Sequence, residues 1–314
     1  DKSVSRGLGD VYKRQQYIQF NAYASWLERE KETEEWQGHE QYLLDTFSAK
    51  QCKVSLFSGE KNNGEGSHQS HSRDICISSL EMETVKKWSQ QNGVTLFMTL
   101  LSAFEILLLK LTGQSELVMG IPVGGRDMEG VENSIGYYSH IMPLATSYDK
   151  EQTIKTYQQE LKKRLFEAYD HQTYPYAEFL KLLQDKGYDA TDNIINVLFN
   201  FDVGLNALEM DGLAVNIHEH KPLYANFDLA INTLEKFGNF HITLDYKTSF
   251  LSDVLAEEML QSFQHLVYEI TKKAEEKLST LTLISEQQEA RILNDFSLSK
   301  DIYPIGNLVL EEFT

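Results

Sequence analysis

The sequence predicts an α+β fold in which helices pack on a mixed sheet, and three patterns carry that prediction. Ile195, Val197, Phe199, Phe201 and Val203 alternate with polar Asn196, Asn200 and Asp202, and Phe240, Ile242, Leu244 and Tyr246 alternate with His241, Thr243, Asp245 and Lys247. A side-chain period of two places each apolar set on one face of a half-buried strand. Ile154, Tyr157, Leu161, Leu165 and Ala168 recur at helical spacing, as do Leu255, Met259, Phe263, Leu266, Ile270 and Ala274. Third, helices come first and strands and helices then mix irregularly, which suits a mixed-sheet lobe better than a regular nucleotide-binding alternation.

Taken in order, residues 17–47 are charged and helical, with Trp26, Trp36, Leu43 and Leu44 as burial points and Glu28 to Glu32 as an exposed face. Residues 50–73 turn small and polar around Gly59, Gly64 and Gly66, and are expected to form a long loop. Ser78 followed by Glu81 is a capping box: the hydroxyl accepts a free amide of the first turn while the carboxylate answers the cap's own N–H. It starts a helix running to about Gln91.

The apolar run Val94 to Leu111 is broken by Thr95, Thr99, Ser102, Glu105 and Lys110, which a lipid-spanning helix would not readily carry. It is expected to be a core helix whose largest side chains each contribute at most about 1.5–3 kcal/mol by burial. Leu117 to Ile121 and Ile141 to Thr146 read as short buried strands, and Asp149 with Gln152 as the opening of the next helix. Leu213 to His218 and Phe227 to Leu234 are strand-like, and a helix is expected from Ser252 to about Lys277.

The chain has 314 residues, 41% of them apolar, enough for one large two-lobed unit or two domains with buried cores. A formal charge of −18 repels nucleic-acid phosphates and anionic lipid heads, and Lys162-Lys163-Arg164 and Lys272-Lys273 are too short to reverse it. Neither partner is expected. Cys52 and Cys76 cannot build a disulfide framework and no charged-then-apolar stretch opens these residues, so a reducing cytoplasm is the expected compartment.

Gly120-x-Pro-x-Gly124-Gly125 lacks the Gly-Lys-Ser/Thr that cradles a phosphate. His68 with His71, and His218 with His220, lack a matched Cys, Asp or Glu set at zinc spacing, so no metal is expected.

Five peptides carry the functional reading. Ile135-Gly136-Tyr137-Tyr138-Ser139-His140 resembles the Ile-Gly-x-Phe-Val-Asn-Thr signature of nonribosomal peptide synthetase condensation domains. His171-Gln172-Thr173-Tyr174-Pro175-Tyr176 resembles their His-Gln-Asp-Tyr-Pro-Phe-Glu signature. Phe20-Asn21-Ala22-Tyr23-Ala24-Ser25-Trp26 is similar to Tyr-x-Asp-Tyr-Ala-x-Trp, Gly120 to Arg126 to Gly-x-Pro-x-x-Gly-Arg, and Phe227-Asp228-Leu229 to a late Phe-Asp-Leu strand. All five fall in the family's order. Asp189 to Asn193 matches the family's Arg-Asp-x-Ser-Arg-Asn poorly, because both arginines are missing.

The resemblance implies a chloramphenicol-acetyltransferase-like lobe and a parent enzyme that joins a carrier-tethered aminoacyl group to a carrier-tethered acyl or peptidyl thioester. The family's catalytic peptide, His-His-x-x-x-Asp-Gly, does not occur in these 314 residues, so no catalytic residue is assigned. The resemblance places Gly136, Tyr137, Tyr138, Ser139 and His140 along the substrate channel, and gives Phe20, Trp26, Arg126, His171, Gln172, Pro175, Phe227 and Asp228 structural roles.

Alternatives stay open for several of these residues. His140 stands where relatives carry Asn, and either lines the channel or is hydrogen-bonded near a strand start. Tyr137 and Tyr138 either line it or pack in the core. Arg126, permanently charged, must be paired or exposed, and is a candidate to tie the loop after the Leu117 strand to a carboxylate. Pro175 is expected to stop the preceding helix.

By the same resemblance, residues 16–78 are the helical remainder of an N-terminal lobe with its connecting loop, 79–283 the C-terminal lobe, and 284–314 a linker toward an adenylation domain. Residues 1–15 are similar to a translated sequencing-adapter tag and are expected to be a non-native leader. Carrier-protein domains and an adjacent adenylation domain are the implied partners, and the carriers' phosphopantetheine arms the only implied cofactor. The competing readings are a noncatalytic docking module and a fragment of the related epimerisation domain; a linker toward an adenylation domain speaks against the latter.

Overall fold

The computed structural model describes residues 18–47, 53–56, 68–188, 194–203, 221–236 and 239–297. Two helices open it, α1 (Phe20–Glu30) and α2 (Glu34–Phe47), followed by β1 (Ser70–Ile77), α3 (Ser79–Gln91), α4 (Leu96–Thr112), β2 (Glu116–Val123) and β3 (His140–Ser147). Then come α5 (Ile154–Asp170), α6 (Tyr176–Asp185), β4 (Val197–Val203), β5 (Leu229–Lys236), β6 (Asn239–Lys247), α7 (Asp253–Lys272) and α8 (Glu286–Ser297). The expected leader, the strand at Leu213 to His218, the Asp189 to Asn193 peptide and the end of the expected linker lie outside the described residues.

The strands form one six-stranded sheet in the order β1-β6-β5-β4-β2-β3. Pairings β1–β6, β6–β5 and β2–β3 are antiparallel, whereas β5–β4 and β4–β2 are parallel. The sheet is therefore mixed, as expected. One face takes Phe240, Ile242, Leu244, Tyr246, Leu229, Ile231, Val197 and Phe199 into the main core with α4, α5 and α7. The β2–β3 end of the opposite face is covered by α2 and α6, where Trp36, Leu43, Phe47, Phe179 and Leu183 pack on Val118, Ala145 and Ile195.

Local chemistry sets the helix starts. Ser78 accepts from the Glu81 N–H and the Glu81 carboxylate answers the Ser78 N–H, completing the box. Helix α4 begins on Thr95 and is buried on nearly every side, because it runs through the main core. Among the described residues no single helix is long and apolar enough to cross a membrane.

Glu105 sits wholly buried in α4 because its charge is answered there. Tyr157 donates to Oε2 at 2.7 Å, and Arg164 lies 3.3 Å from the same oxygen. Arg164 also donates to the Ala145 carbonyl of β3. A buried carboxylate is tolerated only when paired and hydrogen-bonded in this way. Burial pushes the Tyr157 phenol well up, and the adjacent Glu105 adds to it.

Four expectations need correction. The polar stretch expected to be loop through Arg73 instead contains the start of β1, paired over its length with β6. Helix α5 opens not at Asp149 but at Ile154, with Thr153 as its cap. Phe227 and Asp228 precede β5 rather than belonging to it. Helix α7 ends at Lys272, and Leu255 points outward, because Ala256 and Leu260 take the buried stripe with Met259 and Phe263.

Candidate functional site

The end of β2 and the start of β3 are joined by a loop that closes on Arg126. Its guanidinium donates to the carbonyls of Val131 and Ser134, the latter at 3.0 Å, and lies 4.3 Å from the Tyr138 ring centroid. A permanent cation thus organises the loop through backbone acceptors and an aromatic face, in place of the expected carboxylate partner. Gly125 makes the turn with φ +59°; a Cβ there would stand 2.1 Å from the Tyr138 carbonyl oxygen and 2.8 Å from His140 Nδ1. Only glycine fits both the left-handed backbone and the close approach.

Tyr138 is buried, its hydroxyl 2.7 Å from Ser134 Oγ. Its ring meets Phe20 and Tyr23 of α1 edge-on, with centroids 5.1 Å and 4.7 Å away. A Cβ on Gly136 would stand 2.5 Å from the Phe20 ring, so α1 docks where that glycine leaves room. Trp26 is half-buried beside Tyr23. Burial raises the Tyr23 pKa, with Asp127 and Tyr138 adding smaller pushes in the same direction.

The structure therefore brings together residues from three separate signatures: Phe20 and Trp26, Arg126, and Gly136 with Tyr138. Tyr137 and Ser139 lie on the outside of this cluster, Tyr137 with 84% of its surface exposed.

His140 opens β3 and is half-buried. Its Nε2 faces the Gln172 carbonyl and its Nδ1 lies 3.3 Å from the Tyr138 carbonyl, so both ring nitrogens are turned to main-chain oxygens. This contact couples the signatures at 135–140 and 171–176. His171 ends α5, and its ring stacks on Tyr42 of α2 at 3.9 Å with an interplanar angle of 11°. Its Nδ1 is 2.8 Å from His39 Nδ1, so one nitrogen must donate and the other accept. Burial lowers the His171 pKa and the neighbouring His39 lowers it further.

Three residues on, Tyr174 is buried against Trp36, with ring centroids 4.4 Å apart. Both donate to Glu40 Oε1, each at 3.1 Å. Burial, then Glu40, pushes the Tyr174 phenol up. Pro175 stands at the start of α6 in extended backbone, separating that helix from α5. The sequence offered no signal for His39, Glu40 and Tyr42 beyond membership of a charged helix.

Asp228 carries a different load. Its Oδ1 pairs with Lys247 at 3.0 Å and its Oδ2 accepts from Asn196 at 3.0 Å. Asn196 also exchanges two hydrogen bonds with Val54, at 2.8 Å and 3.0 Å. Asp228 and Asn196 thus pin the 53–56 segment where β4 and β5 begin, and Phe227 is half-buried in the cluster around Trp36. Asn196 was read from sequence only as an alternating polar residue.

Among the described residues no three His, Cys, Asp or Glu side chains are grouped to hold a metal. His71, considered as a ligand with His68, instead lies 2.8 Å from Asp253. The arrangement holds the 126–140 loop against α1. In the clustered signatures the polar atoms are engaged mainly with backbone and with one another.

The family model for the condensation domain matches residues 6–293. The chain belongs to the condensation-domain family. Among curated relatives, gramicidin S synthase 2 of Brevibacillus brevis is 26% identical over 320 residues, covering 99% of this chain and 7% of the synthase. Surfactin synthase subunit 1 of Bacillus subtilis (strain 168) is 24% identical over 311 residues, covering 98% of this chain and 9% of the subunit. The chain thus spans less than a tenth of the length of these two synthetases.

Among solved structures, a four-domain nonribosomal peptide synthetase bound to AMP and glycine superposes with a TM-score of 0.71 at 19% identity, covering 80% of this chain and 20% of that one. The X-domain from teicoplanin biosynthesis gives 0.73 at 16% identity, covering 85% and 62%. These likenesses show the α+β, chloramphenicol-acetyltransferase-like architecture of condensation domains for this chain.

Proposed function

We propose that this chain is the C-terminal part of a condensation domain whose parent synthetase joins two carrier-tethered substrates. In that reaction the amine of one attacks the thioester carbon of the other; the C–N bond forms, the C–S bond breaks, and the amine's proton leaves as the carrier thiol is released. The protein's share is to orient two long arms and manage one proton. Carrier-protein domains and an adenylation domain are the proposed partners, and the phosphopantetheine arms belong to the carriers.

The observation that carries this reading is the convergence of the Phe20, Arg126, Gly136 and His171 signatures on one contiguous surface of a condensation fold. Residues 16–78 are proposed as the end of an N-terminal lobe, 79–283 as the C-terminal lobe, and 284–314 as the outgoing linker. Gly136, Tyr137, Tyr138, Ser139 and His140 border the channel in this reading: Tyr138 and His140 hold its wall, while Tyr137 and Ser139 face outward.

Because the His-His-x-x-x-Asp-Gly peptide is not among these residues, the chain alone is inactive in this proposal. The test is amide formation on loaded donor and acceptor carriers, followed by mass spectrometry of the carrier-bound product. The 314-residue chain should match the no-protein background, and the same chain extended by its contiguous upstream coding sequence should form product. Product from the 314 residues alone, or none from the extended protein, overturns the reading.

A second reading, a noncatalytic docking module, draws support from the likeness to a teicoplanin X-domain solved in complex with OxyB, at a TM-score of 0.74. An upstream sequence lacking the histidine peptide, together with stable binding to a neighbouring domain, would favour it.

A further inference from the structure

The corner between α5 and α6 is held against α2 by a pair of imidazoles. His39, in the middle of α2, is 7% exposed, and its Nδ1 faces the Nδ1 of His171 at the end of α5, 2.8 Å away. The His171 ring also stacks on Tyr42 of the same helix. The corner carries Gln172, whose carbonyl meets His140, and Tyr174, whose hydroxyl donates to Glu40. Two neutral imidazoles fit this geometry in one way: one Nδ1 carries a hydrogen and the other presents its lone pair.

We propose that His39 and His171 form a proton-gated clasp between α2 and the α5–α6 corner, closed while the pair holds one added proton or none and parted when both rings are charged. Counting protons gives the gate. The ring that donates through Nδ1 has its free lone pair on Nε2, so a first added proton lands away from the contact. The bridging hydrogen bond then comes from an imidazolium and is charge-assisted, hence stronger. The accepting ring already carries its hydrogen on Nε2, so a second proton can land only on the bridging Nδ1. Two N–H groups and two like charges then face each other with no acceptor between them.

The surrounding charges bias the first step and leave the second barrier in place. From α5, Glu167 and Asp170 favour a charge on His171, while burial and then His39 oppose it more strongly and hold its pKa down. Arg164 of the same helix is paired with buried Glu105. On α2, Glu40 is taken by Trp36 and Tyr174, and on α6, Glu178 pairs with Lys31 and Lys181. From β3, His140 turns both ring nitrogens to main-chain oxygens. The parted form takes up protons more readily than the closed one, so falling pH opens the clasp. Opening releases the Tyr42 stack and loosens the corner through which the 171–176 peptide holds His140. The device works the same whether or not the chain is part of a catalyst.

The test is an NMR titration of the full 314-residue chain with labelled histidine and aromatic rings, from about pH 8 down to acid unfolding. The pair should titrate in two steps, the second proton binding at least about tenfold more weakly than the first. NOEs between the Tyr42 and His171 rings should persist through the first step and vanish in the second, while those between Phe20 and Tyr138, with centroids 5.1 Å apart, remain. In His39→Gln, whose amide keeps the contact but takes no proton, His171 should titrate in one step with its Tyr42 NOEs retained.

Independent titration of the two rings overturns the proposal, as does loss of the Tyr42–His171 NOEs at the first step, their survival once both rings are charged, or their loss on titration of His39→Gln. Simultaneous loss of the Phe20–Tyr138 NOEs would mark general acid unfolding and overturns it too. If the variant does not fold, the titration of the native chain decides.

Discussion

Replacing Gly125 by Ala tests the geometry on which the candidate site rests. The residue sits at φ +59°, and left-handed backbone costs a residue with a Cβ about 1–2 kcal/mol. The added carbon would also stand 2.1 Å from the Tyr138 oxygen, whereas ordinary contact begins at 3.4 Å. Main chain must therefore move, and the His140 Nδ1 contact with that carbonyl at 3.3 Å goes with it, a loss of about 1 kcal/mol for one hydrogen bond.

Together these give about 2–3 kcal/mol of destabilisation. Equilibrium urea unfolding, followed by circular dichroism and by tryptophan fluorescence, should show a lower midpoint with an unchanged slope. In a His140→Ala background the same substitution should cost about 1 kcal/mol less, because one of its two collision partners and the hydrogen bond are already absent. A cost below about 1 kcal/mol, or the same cost in both backgrounds, would refute the claim that Gly125, Tyr138 and His140 form one mechanical unit.

Two further outcomes follow from the charges. Arg164→Met should destabilise by about 3–5 kcal/mol, since it strands the buried Glu105 carboxylate, and Glu105→Leu combined with Arg164→Met should recover much of that loss in urea unfolding. His171, whose folded pKa lies below its ordinary 6.5, contributes stability that is present above about pH 6.5 and lost as pH falls through the folded value. Thermal melts between pH 7.5 and 5 should show that loss, and His171→Phe, which keeps a ring against Tyr42, should flatten it.

The parts of the fold legible in the sequence were those where burial is one-sided and periodic. The alternation at 240–246 survives as a strand because one face is filled by Phe240, Ile242, Leu244 and Tyr246, and the Ser78–Glu81 box acts locally, so both signals need only neighbouring residues. Strand β1 was illegible for the opposite reason. Its sequence Ser-His-Ser-Arg-Asp-Ile-Cys-Ile is mostly polar, and what makes it a strand is its backbone pairing with β6 about 170 positions away. Leu255 misled because it shares helical spacing with the buried stripe, and only the adjoining Ala256 and Leu260 reveal which way the helix is turned. At the candidate site each signature was readable by itself, yet nothing in the sequence pairs His39 with His171 across 132 positions.

That long-range pairing changes how the two opening helices are understood. Helix α1 reaches the 136–138 peptide through Phe20 and Tyr23, while α2 reaches the 171–174 peptide through His39, Tyr42, Trp36 and Glu40. The two peptides are themselves joined through His140 and the Gln172 carbonyl. Residues Glu32 and Thr33, at the turn between α1 and α2, hydrogen-bond back to Arg29 and Glu30, and the joint between the helices is short. A displacement of the helix pair must therefore be felt by both signatures at once, since packed side chains transmit strain instead of absorbing it. The outward placement of Tyr137 and Ser139 is thus set by helices about a hundred positions upstream, so residues that do not touch either side chain still control where they stand.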